Sequence, residues 1–286
     1  GFESTVMVRS ILLRGFDQDI AEKIRENMID HGVRFVNKTV PISFTKSGEK
    51  TVVKYKQTVI EEGVEKEILG EEEFDTVLLA VGREAVTKDL GLNGVGVQLD
   101  DKTKKIIVNE REESSVNNIY SIGDCAYERP ELTPPAIRAG RLLARRLFNE
   151  GEKLMNYTNI ATTVFTPLEY SSVGYSEEDA KKFFSEENIK VYHSEFTALE
   201  WSMNINNIDK AYAKVIYNTA DNNRIVGMHI LAPNAGEIMQ GFSAAINLGL
   251  TKEQLDDTVS IHPTVAEELT LLKTDKALGD GKKEDC

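Results

Sequence analysis

Two short stretches of this chain space their side chains as proton transfer and ligand binding require. Near the C-terminus, His262-Pro263-Thr264-Val265-Ala266-Glu267 sets an imidazole before a rigid proline and a helix start, with a carboxylate five positions on. A carboxylate beside an imidazole fixes its tautomer and raises its basicity, which an acid–base group needs. The same residues allow a second account, because Thr264 and Glu267 have capping-box spacing and Glu267 can simply hold the helix N-terminus. The two roles are compatible. Upstream, Tyr120-Ser121-Ile122-Gly123-Asp124 ends an apolar strand pattern on one carboxylate, placed to accept a hydrogen bond from a ligand hydroxyl. On its own, Asp124 reads equally well as a turn residue. What sharpens the first reading is Leu132-Thr133-Pro134 just downstream, where a helix start aims its amides at an electron-rich ligand carbonyl.

Other candidates are weaker by themselves. Arg9 and Arg14 flank Ile11-Leu12-Leu13 directly after a strand pattern. At the end of the second strand of a dinucleotide fold, an acidic residue suits NAD, whereas guanidinium groups grip the extra phosphate of NADPH by paired hydrogen bonds. Two solvated surface arginines are the competing account. Gly82-Arg83 follow the apolar run Val77–Val81, where a bare glycine lets backbone approach a ligand, or where a strand simply turns. The four histidines, His31, His193, His229 and His262, are dispersed, and no cysteine lies at ligand spacing, so a metal site is not expected. His193 and His229 fall in strand patterns and read as structural. Cys125 reads as a buried structural thiol, and Cys286 as an exposed one on an acidic tail.

The elements that must position these residues follow from periodicity. Thr5–Val8 reads as a buried strand. Ile20, Ile24 and Met28 then mark a helix that stops at Gly32, and Val33–Val36 is the next strand. Two hairpins turn near Ser47-Gly48 and Glu62-Gly63, and Val77–Val81 suits a buried parallel strand. That order predicts the second half of a doubly wound nucleotide-binding domain. Ile106–Val108 and Ile119–Ile122 read as short strands, followed by a helix from Pro134 carrying Ile137, Leu142, Leu143 and Leu147. From about Tyr157 the pattern is α+β. Ser176 with Asp179 caps a helix, Ala211–Tyr217 and Arg224–Leu231 pair around Asp221-Asn222-Asn223, and Asn234 with Glu237 caps another helix.

Composition narrows the class. At 286 residues, 41% hydrophobic and 28% charged, the chain has room for two domains or parts of three, and is globular rather than disordered. A net charge of −13 argues against a nucleic-acid partner. No apolar run reaches the ~20 residues of a membrane helix, and two cysteines suit a reducing compartment. The chain starts within a strand pattern, so a C-terminal portion of a longer protein is expected.

In order, these pieces resemble the pyridine nucleotide–disulfide oxidoreductases, most closely the large thioredoxin reductases of animals and their thioredoxin–glutathione reductase relatives. The resemblance rests on residues 7–18, Leu79-Ala80-Val81-Gly82-Arg83, Ile119–Asp124, Glu131-Leu132-Thr133-Pro134, residues 163–170 and His262–Glu267, and it covers essentially the whole chain. It implies an α/β fold: partial FAD/NAD(P)-binding doubly wound domains followed by an α+β dimerisation domain. The boundaries expected are 1–86 for the partial NADPH-binding domain, 87–156 for an FAD-binding segment, and 157–286 for the interface domain with a redox tail. Arg9, Arg14, Gly82 and Arg83 would serve NADPH and the cofactor edge. Asp124, Glu131, Leu132 and Thr133, with His262, would lie against FAD. His262 and Glu267 would form the proton relay of the partner subunit's site, and Cys286 would belong to the C-terminal redox pair that passes electrons to thioredoxin.

The sequence departs from the family pattern in three ways. The Cys-x4-Cys redox disulfide and both glycine-rich nucleotide turns would lie upstream of Gly1, so the chain alone is expected to be inactive. The family ends in Gly-Cys-selenocysteine-Gly or a cysteine variant of it. Here the sequence stops at Cys286 after Gly281–Asp285, which do not match the usual small-residue tail, and a selenocysteine codon read as a stop, or lost final residues, would account for that. The function expected is NADPH-dependent reduction of thioredoxin disulfide by a homodimer, in the cytoplasm or the mitochondrion. Glutathione reductase or a thioredoxin–glutathione reductase is the chemical alternative, and a non-catalytic dimerisation fragment the alternative of another class.

Overall fold

Parallel pairing starts the chain. β1 (Thr5–Val8) and β2 (Arg34–Asn37) lie side by side, Val6 opposite Phe35, with helix α1 (Gln18–Asp30) between them in sequence. The computed structural model describes residues 1–61, 63–204 and 208–279. α1 begins where the Asp17 carboxylate accepts the Ile20 amide at 3.3 Å, and buries Ile20, Ala21 and Ile24 on one face. It ends at Gly32, whose φ of +87° suits the left-handed cap that lets Val33 N–H reach the Met28 carbonyl. An antiparallel meander follows: β3 (Thr39–Ser47), β4 (Lys50–Glu61) and β5 (Val64–Phe74).

The chain divides into two compact units, residues 1–77 with 161–286, and residues 78–160. Here one expectation fails. Val77–Val81 is hydrogen-bonded into no sheet, and Leu78, Leu79 and Val81 lie in solvent. A parallel strand is buried only when flanking strands complete its ladder and helices cover its faces. An apolar run cannot supply either by itself.

Residues 78–160 contain short α2 (Leu92–Val95) and long α3 (Thr133–Leu147). The two strands expected at 106–108 and 119–122 are replaced by isolated bridges, Leu99 with Ile106, Ile106 with Ala126 and Glu113 with Tyr120. Each is a single rung, so the runs are too short to propagate a ladder. Arg146 and Glu112 form a buried ion pair, and Glu112 also accepts from Tyr157 Oη at 3.1 Å.

The remaining elements are β6 (Thr162–Val164), β7 (Tyr170–Gly174), α4 (Glu177–Phe184), β8 (Ile189–Phe196), β9 (Ala211–Asn218), β10 (Arg224–Leu231), α5 (Ala235–Asn247) and α6 (Lys252–Asp256). The strands make one antiparallel sheet in the order β6-β7-β10-β9-β8. β9 is buried along its whole length because both its faces are covered. Ala211, Ala213, Val215 and Tyr217 join a core with Met239 and Ile246 of α5, Leu255 of α6, Leu269 and Leu272. Tyr212 packs with Ile20 and Ile24 of α1, and Ile216 with Ala180 of α4. Ser176 caps α4 as expected, its hydroxyl accepting from Asp179 N–H at 3.1 Å. Asn234 does not cap α5 through its side chain; it sits at the N-cap with φ +58° and makes no side-chain cap bond. No helix among the described residues is long and apolar enough to cross a membrane.

Candidate functional site

His262 and Glu267 meet. Nδ1 lies 2.9 Å from Glu267 Oε1 and 3.2 Å from Oε2, at the start of a 3₁₀ turn, Ala266–Leu269. The capping box is present too: Thr264 N–H donates to Glu267 Oε1 at 3.2 Å, and Glu267 N–H to Thr264 Oγ1 at 3.3 Å. One carboxylate therefore does both jobs, holding the turn and receiving the imidazole. Its side chain is 12% exposed while that of His262 is 78% exposed. A carboxylate on Nδ1 leaves Nε2 pointing outward, the atom that would exchange a proton with a thiol brought to this surface. Ser260 and Thr270 hydroxyls bond to each other across the base of the loop, tying its two ends.

The Ile122-Gly123-Asp124 turn is built by close approach to α3. Gly123 adopts φ +67°, and a Cβ there would sit 3.0 Å from Ala136 Cβ, so only glycine lets the turn press on the helix. Asp124 is left exposed at the turn's edge. Leu132 occupies the N-cap of α3 and Thr133 its first position. The expected row of amides is thinner than foreseen, because Pro134 and Pro135 carry no N–H and Ala136 N–H already bonds Leu132 O at 3.2 Å. The Thr133 amide is the first-turn donor that remains. Glu131 is engaged elsewhere, at 2.6 Å from Lys105 Nζ.

Arg9 follows the last residue of β1 and Arg14 lies five positions on, both exposed. Arg14 donates to Ser10 Oγ at 2.7 Å, and among the described residues neither guanidinium pairs with a carboxylate. Gly82 has φ +118° and, with Arg83, lies in an irregular exposed segment rather than at a strand end. Cys125 is exposed, not buried, with its Sγ 3.2 Å from Ser121 Oγ and donating to Ile122 O at 3.3 Å. Cys286 lies outside the described residues. His31 stands in the cap of α1, its Nδ1 2.8 Å from Asn27 O.

Two family models cover most of the chain: pyridine nucleotide-disulphide oxidoreductase over residues 3–140, and the dimerisation domain of the same family over residues 160–272. The chain belongs to the pyridine nucleotide-disulphide oxidoreductases. It is 46% identical over its full length to thioredoxin reductase SEP1 of Emiliania huxleyi, and 43% identical over 98% of its length to the protein named "Thioredoxin reductase 2, mitochondrial" of Drosophila melanogaster. It spans 58% and 53% of those relatives' lengths.

The larger compact unit also holds a network that sequence reasoning missed, joining the dimerisation-domain residues Lys214 and Glu177 to the start of α1 and to Lys276. Lys214 of β9 is fully buried, with Nζ 2.8 Å from Asp17, 3.0 Å from Asp19 and 3.1 Å from Glu177. Lys276 reaches Asp19 at 3.0 Å and Glu177 at 2.8 Å. Asp17 Oδ2 accepts the Glu177 amide at 3.0 Å, so one carboxylate caps both α1 and α4. Burial opposes ionisation of Asp17, Asp19 and Glu177, but the lysines outweigh it and hold all three below the ordinary carboxylate range, Glu177 at about 2. The available signal was Lys214 in the middle of the apolar run Ala211–Tyr217. Beside the network, the neutral ring of His229 bridges Tyr170 Oη and Tyr175 O at 2.9 Å each, and burial holds its pKa down.

Proposed function

We propose that this chain serves an NADPH-dependent, FAD-containing reductase of thioredoxin disulfide that works as a homodimer in a reducing compartment, cytoplasm or mitochondrion. The observation that carries the reading is the His262–Glu267 pair, an outward-facing imidazole steadied by a shielded carboxylate. The names of the relatives at 46% and 43% identity support thioredoxin over glutathione as the substrate.

FAD, when bound, would pass electrons from NADPH to a disulfide. In this chain the Gly123 turn fits a cofactor, since its close approach to α3 leaves the Asp124 carboxylate open to a ribityl hydroxyl. The Thr133 amide and Leu132 would border the flavin, while the Glu131 carboxylate is held by Lys105 and serves to fix the turn before α3. Arg9 and Arg14, which pair with no carboxylate among the described residues, would grip the extra phosphate of NADPH. Gly82 and Arg83 would border the cofactor, with a glycine where backbone must come close. His262 would take a proton from one cysteine of the partner subunit's dithiol as it becomes the attacking thiolate, and return it to the sulfur that leaves the substrate. Glu267 would stabilise the imidazolium in between. Cys286 would contribute to the tail that carries reducing equivalents to thioredoxin.

The test is turnover of the full-length flavoprotein with NADPH. The reading expects rapid reduction of thioredoxin and slow reduction of oxidised glutathione; the reverse order would overturn the substrate. In the same assay, Arg9→Ala with Arg14→Ala should raise KM for NADPH by at least about tenfold, since a bidentate phosphate contact contributes ~1.5–3 kcal/mol, and should leave KM for NADH nearly unchanged. Equal losses for the two nucleotides would contradict the phosphate assignment.

A further inference from the structure

Arg14 stands at the tip of a turn whose two limbs are anchored in the protein. Leu13 and Phe16 pack against the cluster of Ile20, Ile24 and Tyr170, with the Phe16 ring edge-on to that of Tyr170 at 5.9 Å. Phe16 N–H donates to Leu13 O at 2.9 Å, which closes the turn and leaves Arg14 and Gly15 exposed between them. Gly15 has φ +90°, the left-handed conformation that the third residue of a type II turn needs and glycine adopts freely. Leu13, which carries a side chain, also sits at positive φ, +42°. Backbone of that kind persists only where its surroundings hold it.

The side chain that holds it is Gln18, the first residue of α1. Its Nε2 lies 3.3 Å from Leu12 O, 3.3 Å from Leu13 O and 2.9 Å from Phe16 O. The two hydrogens of a primary amide can reach a carbonyl on each limb, one of them shared between the neighbours Leu12 and Leu13. The partners fix which way the amide faces, because a flip would set an oxygen against three carbonyl oxygens. The foot of the clamp is fixed too. Asp17 is paired with Lys214 at 2.8 Å, and Gln18 N–H donates to Glu178 Oε1 at 3.3 Å. From the tip, the Arg14 guanidinium reaches back to Ser10 Oγ at 2.7 Å, one residue from Arg9. The path of the turn therefore sets how Arg14 is aimed and how near the two guanidinium groups stand.

We propose that Gln18 is a positioning residue for nucleotide choice: its amide, clamped to both limbs of the turn, holds Arg14 in the orientation that grips the extra phosphate of NADPH. The proposal rests on the reading of Arg9 and Arg14 as that grip. Paired hydrogen bonds from a guanidinium to a phosphate are directional, so a well-aimed arginine contributes more than its charge alone. With a donor-free side chain of the same size at position 18, the limbs come loose. Arg14 then keeps its charge and loses its aim. NADH has no phosphate at that point, so its use should not change.

Stopped-flow reduction of the flavin in the full-length protein tests this, with NADPH and NADH as separate donors. Gln18→Met matches glutamine in length and cannot donate. It should lower the second-order rate constant for NADPH by about tenfold, the worth of one or two hydrogen bonds. The constant for NADH, and the limiting rate at saturating NADPH, should stay as they are. In an Arg14→Ala background the same substitution should cost NADPH less than about twofold more, since the residue it positions is gone. Equal losses for the two nucleotides would overturn the proposal, and so would losses that multiply in the double variant. Gln18→Asn, whose amide is one carbon too short to span both limbs, should behave as Gln18→Met does and replaces it if the methionine variant does not fold. A selective NADPH loss in Arg14→Ala beside none in either Gln18 variant would overturn this proposal alone. No such loss in Arg14→Ala would overturn the phosphate reading and this proposal with it. Flavin reduction precedes any contact with thioredoxin, so the result is independent of the substrate proposed above.

Discussion

His262→Gln in the full-length dimer should slow disulfide reduction by about 10²–10⁴-fold, the usual worth of a positioned acid–base group, while reduction of the flavin by NADPH proceeds at its normal rate. Glutamine keeps a polar side chain at the surface and leaves the Thr264–Glu267 capping bonds in place, so folding should be unaffected. The two halves of the reaction should separate, because in the proposed role the imidazole exchanges protons with sulfur and takes no part in electron transfer from the nucleotide. Stopped-flow flavin absorbance follows the first half, and thioredoxin reduction the second. Glu267→Gln makes a useful companion, since its amide oxygen can still cap the turn while its charge is gone. An activity loss without a stability loss would show that the carboxylate serves the imidazole as well as the helix start.

The second large effect is on stability. Lys214→Met should destabilise the fold by about 3–5 kcal/mol, because it leaves the fully buried Asp17 carboxylate facing apolar surroundings without its nearest cation. Asp17→Asn with Lys214→Met should recover part of that loss, since it removes the uncompensated charge while the amide oxygen can still accept from a helix N-terminus. Urea unfolding of the three proteins measures this, and additive losses in the double variant would contradict the coupling. The network also sets the pH dependence. Asp17, Asp19 and Glu177 have folded pKa values below their unfolded values, near 4, so their contribution is present above that pH. It is lost as pH falls toward about 2, where Glu177 titrates in the folded state. Lys214 behaves oppositely at the alkaline end, its raised pKa adding stability that fades only above the ordinary lysine range.

Local patterns in the sequence were informative wherever a structural rule is itself local. Helix α1, its stop at Gly32, the two hairpins and the Ala211–Tyr217 pairing with Arg224–Leu231 all follow from spacing and turn residues. Glu267 reads correctly as both cap and partner of His262 because five residues separate the two. Val77–Val81 shows the limit: apolarity reports what a strand would tolerate, not whether a neighbouring strand is there to bond it. Pro135 is a local signal of the opposite kind, since a second proline removes an amide from the start of α3 where a row of donors was expected. The Lys214 network could not be assembled from the sequence, with partners at 17, 19, 177 and 276. A lysine in the middle of an apolar strand was nevertheless the mark of a buried charge that something must neutralise.

Complementation between subunits tests the central assignment most directly. One subunit would carry His262→Gln, and the other would keep His262 but lose its redox-disulfide cysteines. Neither homodimer should reduce thioredoxin appreciably. The mixed dimer unites intact cysteines on one subunit with an intact imidazole on its partner, so it should regain about half the wild-type turnover, one working site of two. If the purified mixed dimer stays as inactive as its parents, His262 does not act across the subunit interface, and the relay proposed for it is wrong.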